Sequence, residues 1–390
     1  MIHRGFIFTV RRELLRMTRY KTFSFSIVIL PIITFIFLAI VFYHGVPSDL
    51  PIAVLDRDNT SLSRQVSRMV DAGQYVKVDY KISSLEEGRE MIKKGLIDAV
   101  LVLPEDMERD IMRGEQVKPA LFINGVNLLI GSLVEKDITT TMQSFSVGIE
   151  IQKLQTQGIP EDIAYEMAMP ISFEKHILFN PYVSYAYYLL PGFMPMMLLF
   201  FVILSSVFAV GIELKKGTAS KWLSGANGNI ATAVTAKLLP YTCLFVFLSL
   251  IMNGIMYRFF GVPHNGNIPL LVLGNFLFIL AYQWMGVLLV ALLDNLRLAL
   301  SIAAGYSVLA FTFSGLTFPF MAMNPDVSIL GNLFPFTFYM NLFIDQAMRG
   351  APIVHSLPYI SVLCLFIMIP MLFLKRLRKL CVNERYWGKI

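Results

Sequence analysis

The sequence predicts a polytopic α-helical membrane protein: six transmembrane helices, an N-terminal interfacial helix and an inserted α/β extracytoplasmic domain. Three observations carry this. Of 390 residues, 56% are hydrophobic and 15% charged, against roughly 25% charged in an ordinary soluble domain. A soluble chain this apolar would aggregate through exposed patches. Apolar runs of bilayer length recur, one before and five after a polar stretch. Charge is also partitioned: residues 44–184 hold 14 basic and 21 acidic side chains, a net of −7, whereas the remainder holds 19 basic and 6 acidic, a net of +13. The same numbers exclude disorder and a nucleic-acid-binding tail. The basic part reads as loops facing a cytoplasm and an anionic leaflet.

Residues 1–21 mix Arg4, Arg11, Arg12, Arg16, Arg19 and Lys21 with Ile2, Phe6, Ile7, Val10, Leu14, Leu15 and Met17. That spacing suits an amphipathic helix in the interface, basic side out and apolar side down. Residues 22–43 are apolar over 22 positions, about 33 Å of helix at ~1.5 Å per residue, and a bilayer core needs ~30 Å. Pro31 is tolerable in a span. A cleaved signal peptide would have a shorter apolar region of ~7–15 residues and a small-residue cleavage site. This run ends in Phe-Tyr-His-Gly-Val and reads as a retained span.

Residues 44–184 form the extracytoplasmic domain with its helical stalk. Short strands are predicted at 51–55, 76–80, 98–103 and 119–123. Helices are predicted after Thr60/Ser61, over 85–94 with acidic residues early and basic ones late, and over 105–113, opened by Pro104 and ended by Gly114. Residues 126–168 read as helical with a break at Gly158-Ile159-Pro160. Five spans follow within 185–375, at about 191–212, 234–256, 270–293, 298–320 and 357–374. The apolar, Pro335-interrupted stretch 332–349 reads as a re-entrant or interfacial hairpin. Residues 376–390 form a basic tail. With the N-terminus inside, Lys215, Lys216, Lys221, Arg297, Lys375, Arg376, Arg378, Lys379, Arg385 and Lys389 all fall inside. Both termini are therefore expected to be cytoplasmic and the inserted domain outside.

Chemistry is sparse. There is no Gly-x-x-x-x-Gly-Lys-Ser/Thr phosphate loop, no Gly-x-Ser-x-Gly elbow and no His-Glu-x-x-His pair. The three cysteines, Cys243, Cys364 and Cys381, fall outside the acidic domain, and the histidines His3, His44, His176, His264 and His355 show no ligand spacing. No catalytic constellation and no metal site are expected. The informative stretch is 213–229, directly after the second span. Glu213 precedes Lys216, Gly217 and Thr218; a break at Gly217 with Thr218 as N-cap would start a short helix carrying Lys221 and Trp222. An ordinary basic loop is one reading; a coupling helix seated in a partner's groove is the other. Polar side chains in spans (Asn253, Asn275, Gln283, Tyr306, Thr312 and Ser314) are candidates for a substrate path, with interhelical hydrogen bonding as their ordinary role.

Taken in order, several stretches resemble one family. Glu213-x-x-x-Gly217-Thr218 after a span, Ala236-Lys237-Leu-Leu-Pro240-Tyr241, Phe260-Gly261-Val262-Pro263, Ser314-Gly315-Leu-Thr-Phe318-Pro319 with Met323 and Pro325, Pro335-x-Thr337, Gly350, and Leu55-Asp-Arg-Asp58-x-x-Ser61-Leu62-Ser63-Arg64 resemble the pattern of type-2 permeases of ATP-binding-cassette exporters. They fit the drug-efflux-like subgroup, which has a large external domain between spans one and two. The resemblance implies a non-catalytic permease of a bacterial inner membrane, moving a hydrophobic or amphipathic substrate outward. It implies a separate ATPase subunit that binds ATP and Mg, and a second permease copy or paralogue. A periplasmic adaptor is a further expected partner, and the lipid bilayer is the surrounding one. Coupling to the ATPase would fall on Glu213, Lys216, Gly217, Thr218, Lys221 and Trp222. The family's second acid is replaced here by Lys215, and its Glu and Gln after Gly-Thr by Ser220 and Lys221. The alternative from the residues is a membrane-anchored sensor or assembly factor acting through the external domain.

Overall fold

The computed structural model describes residues 5–43, 45–171, 174, 176–180 and 184–388. Ile2, His3, Arg4, His44 and Lys389 lie outside them. The chain divides into two compact units, Met1–Gly45 with Ile177–Ile390, and Val46–His176.

The Val46–His176 unit is built on a four-stranded sheet ordered β2-β1-β3-β4, where β1 is Leu50–Asp56, β2 Val76–Lys81, β3 Ala99–Leu103 and β4 Ala120–Ile123. β1 pairs in parallel with β2 and β3, and β4 runs antiparallel beside β3. β1 is central and covered on both faces, which is why 51–55 reads as an unbroken apolar run rather than an alternating one. One face packs Val54, Val66 and Val70 with Leu133, Val134 and Ile138 of the long helix Leu128–Thr156. The other packs Leu55 and Val100 with Met91 and Ile92 of the helix Leu85–Lys93. That helix comes so close that a Cβ on Gly88 would lie 2.7 Å from Val100.

The turn after β1 is held by its own side chains. Asp56 accepts from the Asp58 and Asn59 amides and from the Ser63 hydroxyl. Thr60 and Ser63 form a capping box on the helix Ser61–Asp71. Asp58 accepts from Thr60 and from the Glu108 amide. Asp137, buried on the long helix, accepts from the Tyr75 and Val76 amides at 2.8 and 3.0 Å and so fixes the start of β2. One helix start differs from the sequence reading. It falls at Met107 rather than Glu105, because Asp106 adopts a left-handed φ of 61° and Pro104 stays outside the helix.

The other unit is a helical bundle. Among the described residues, five helices are long and apolar enough to cross a membrane: Lys21–Val41, Tyr185–Lys215, Ile230–Phe259, Ile268–Leu292 and Ile353–Val382. The second, third and fourth bury at least half of their apolar length within the unit, the first and last under a fifth. The expected span 298–320 is shorter: its helix is Leu296–Thr312. Past Thr312 the run stays apolar but leaves the helix, since Ser314 bonds back to the Phe311 carbonyl and Gly315 sits at φ 81° with the Phe320 ring where a Cβ would stand. The stretch expected to be a hairpin is a helix pair, Pro325–Leu333 and Pro335–Arg349, bent by 90°. Pro335 forces the break. At the break the Thr337 hydroxyl donates to the Gly331 carbonyl and the Tyr306 hydroxyl to the Leu333 carbonyl, at 2.7 and 2.8 Å.

Candidate functional site

A buried cluster of ionic side chains lies at one end of the bundle. The helix Tyr185–Lys215 reaches that end at Glu213, which is fully buried. Four groups donate to its carboxylate. Arg12 does so from Nη2 to both carboxylate oxygens, at 3.0 and 2.8 Å, and Arg16 from Nη1 at 2.6 Å. Lys237 donates from Nζ at 2.8 Å, and the Thr218 hydroxyl is the fourth donor. A second buried carboxylate, Glu13, accepts from the same Lys237 ammonium at 2.5 Å and from the Tyr241 hydroxyl at 2.7 Å. Two carboxylates thus face three cations. A charge left alone at this depth is costly, and only complete pairing makes such a cluster stable.

The cluster joins segments far apart in the chain. The helix Phe6–Arg19 supplies Arg12, Glu13 and Arg16, the long helix supplies Glu213, and Ile230–Gly254 supplies Lys237 and Tyr241. The N-terminal helix presents two sides, with Arg11 and Arg19 exposed. Arg12 and Arg16 point inward with Thr9 and Glu13, while Ile7 and Leu15 are left 81% and 62% exposed. The face opposite Glu213 is charged, which the pairing of its buried carboxylate requires.

The loop after Glu213 is tied to this cluster. Gly217 sits at φ 64°, a conformation glycine adopts without a Cβ clash, and the Thr218 amide donates to the Glu213 carbonyl at 2.9 Å. The short helix Ala219–Gly225 follows. Thr218 stands at its N-cap position, but its side chain does not cap; the expectation is corrected because the hydroxyl is taken by Glu213. Trp222 is buried, its ring 5.3 Å from the Lys237 ammonium and its indole N–H donating to the Ala233 carbonyl. Lys216 donates to the Tyr20 hydroxyl at 2.8 Å, which holds that phenol below its ordinary pKa. Lys221 is exposed. The Gly5 amide donates to the Gly225 carbonyl and the Gly388 amide to the Leu214 carbonyl, so both segments are tied to this region. Arg376 donates to the carbonyls of Ala291 and Leu292, capping the helix Ile268–Leu292 at the same end.

Of the coupling candidates, Glu213, Thr218 and Trp222 meet in one cluster, Lys216 and Gly217 border it, and Lys221 faces outward. The sequence reading missed Glu13 and gave Arg12, Arg16, Lys237 and Tyr241 no ionic role. A signal existed: Glu13 is the only acid before Asp49, and Lys237 is the only charge in Ile230–Gly254.

The substrate-path candidates lie elsewhere, and among the described residues no hydrogen bond joins any two of them. Asn275 accepts from Tyr339, Gln283 accepts from Thr242, and Tyr306 donates to Leu333; each ties neighbouring segments together. Thr312 and Ser314 bond carbonyls of their own segment. Buried atoms without a partner remain on Asn253 and Gln283. Among the described residues no group of three or more His, Cys, Asp or Glu is placed to hold a metal ion.

Comparison with known proteins places this geometry in context. The model of the ABC-2 family transporter protein matches residues 21–374. The chain is 22% identical over 351 residues to the probable multidrug ABC transporter permease YbhS of Escherichia coli K12, covering 87% of this chain and 89% of that one. The same protein in Escherichia coli O157:H7 matches equally. Among solved structures, a crystal structure of a domain assigned to an ABC type-2 transporter of Thermotoga maritima is 19% identical, with a TM-score of 0.24, covering 31% of this chain and 81% of that one.

Proposed function

The chain belongs to the ABC-2 transporter family, and from that premise we propose that it is the transmembrane permease subunit of an ATP-driven exporter. It moves a hydrophobic or amphipathic substrate out of the cytoplasm or the inner leaflet. A separate ATPase subunit binds ATP and Mg and supplies the work, and two permease chains, identical or paralogous, form the path. Six spans cross the membrane, counting Leu296–Thr312 as the fifth and the bent pair as re-entrant. Both termini are cytoplasmic and the Val46–His176 unit is external.

The observation that carries this reading is the Glu213 cluster. A loop meant only to connect two spans needs no buried carboxylate holding two arginines, a lysine and a threonine. A loop that transmits force does, because a push on Ala219–Gly225 must reach the long helix and the N-terminal helix as one body. In the resting state the cluster makes those three segments rigid. ATPase closure then shifts them together between two arrangements of the spans.

Co-purification tests the reading. A tagged chain extracted from its native host in mild detergent is expected to bring down an ATPase subunit. Recovery of the chain with no ATPase, under conditions where the permease stays folded, would sink it.

A further inference from the structure

Between the first span and the helix Tyr185–Lys215 lies a groove of about 760 Å³, within the range of ligand sites, roughly 300–1,000 Å³. Its walls are Phe23, Ile27 and Leu30 on one side and Phe201, Leu204 and Phe208 on the other. Phe23 and Phe208 meet with ring centroids 4.7 Å apart. One end has a different character. Arg19, Tyr20, Lys21 and Lys216 line it. Among the described residues the side chains of Arg19 and Lys21 make no ion pair or hydrogen bond, and the Lys216 ammonium reaches only Tyr20, its hydroxyl at 2.8 Å and its ring at 4.5 Å. The two nearby carboxylates, Glu13 and Glu213, are already taken by Arg12, Arg16 and Lys237. The four other acids outside 44–184, Asp294, Asp326, Asp345 and Glu384, do not line this groove.

An occupant must therefore offer an anion at one end and an apolar chain behind it. A neutral amphiphile leaves the cations unanswered, and a small anion leaves the aromatic slot empty. A second copy of this chain would bring an identical cationic rim to face the first. Depth agrees with a lipid: Ile27 and Leu30 lie six and nine residues past Lys21, about 9–14 Å further in at ~1.5 Å per residue, and Tyr20 sits where interfacial aromatics gather.

We propose that this groove binds an anionic phospholipid of the surrounding bilayer, its phosphate among Arg19, Lys21 and Lys216 and an acyl chain along Phe23, Leu204 and Phe208. Bound there, the lipid props the outer side of the N-terminal helix whose inner side holds Glu213. The inference needs only that the chain sits in a membrane, and stands apart from the transport reading.

The test uses the full-length chain, delipidated in detergent and titrated with dioleoyl phosphatidylglycerol or dioleoyl phosphatidylcholine, with binding read by native mass spectrometry. Phosphatidylglycerol is expected to bind more tightly than phosphatidylcholine. Arg19→Gln/Lys21→Gln, both exposed, is expected to weaken phosphatidylglycerol about tenfold, about 1.4 kcal/mol, and to leave phosphatidylcholine unchanged. Leu204→Trp fills the slot and is expected to weaken both lipids, with its thermal unfolding in detergent confirming the fold. Millimolar glycerol 3-phosphate is expected not to compete. Equal affinity for the two lipids, full retention of phosphatidylglycerol by the double variant, or complete displacement by glycerol 3-phosphate would each overturn the lipid assignment.

Discussion

At the scale of single residues, Glu213 bears the largest energetic consequence. Removing one partner from a fully paired buried cluster leaves the others uncompensated, at about 3–5 kcal/mol. Glu213→Gln leaves Arg12, Arg16 and Lys237 facing each other around Glu13 alone. We expect that variant to insert but to unfold in detergent at a temperature lower by several degrees, with transport lost. Tyr241→Phe removes one hydrogen bond to Glu13 and should cost only about 0.5–1.5 kcal/mol. The ranking of the two in a thermal-shift series checks the cluster directly; equal, negligible shifts would mean that the carboxylates are solvated. Residue identity was partly legible in the sequence. Glu213 and Thr218 stood out by motif, but their partners did not, because Arg16 and Lys237 lie 197 and 24 positions from Glu213 and no local pattern links them. Glu13 was readable only as a lone acid among arginines.

At the scale of elements, the loop around Gly217 separates conformation from space. A Cβ there would meet Trp387 at an ordinary 3.5 Å, so bulk is not the obstacle; φ 64° is. Gly217→Val should strain the turn by roughly 1–3 kcal/mol, insert normally and recover little ATPase in a pull-down. Gly217→Asn, which tolerates the left-handed region, should retain most of it. Equal recovery by both would make the loop an ordinary tether. In the Val46–His176 unit, Thr60→Ala removes the cap of the helix Ser61–Asp71 and is expected to cost about 1 kcal/mol, read as faster amide exchange over 61–71 without effect on the bundle. The apolar helices were legible from apolar length, and their ends were not. Residues 313–320 continue the apolar run past the end of the helix at Thr312, where Gly315 conformation, which hydropathy does not encode, takes over. The 90° break at Phe334 was signalled by Pro335, but its satisfaction by Tyr306 and Thr337 was not. Tyr306, read from the sequence as a path candidate, donates to the Leu333 carbonyl beside the break.

At the scale of the whole molecule, the +13 charge outside residues 44–184 has two destinations. Part of it is consumed inside, by Arg12, Arg16 and Lys237 on two carboxylates. Among the described residues, Arg11, Arg19, Lys215, Lys216, Lys221 and Arg376 lie at the end of the bundle where the loop after Lys215, the helix Phe6–Arg19 and the segment reaching Gly388 meet, while Arg349 pairs with Asp345 away from it. An orientation rule based on short loops would set the end richer in Lys and Arg on the cytoplasmic side. If that end faces the cytoplasm, an ATPase must touch it and must not touch the Val46–His176 unit.

Photo-crosslinking in the native host measures this most directly. A photoreactive amino acid is placed at exposed Lys221 in one strain and at Met112, 69% exposed in the sheet unit, in another. Both chains are irradiated in intact cells, and the adducts are identified by mass spectrometry. An ATPase subunit joined at 221 and absent at 112 is the expected outcome. Capture of the ATPase at 112, or no ATPase adduct at 221 in cells that transport normally, would contradict the assignment of this loop as the point where the work of ATP enters the chain.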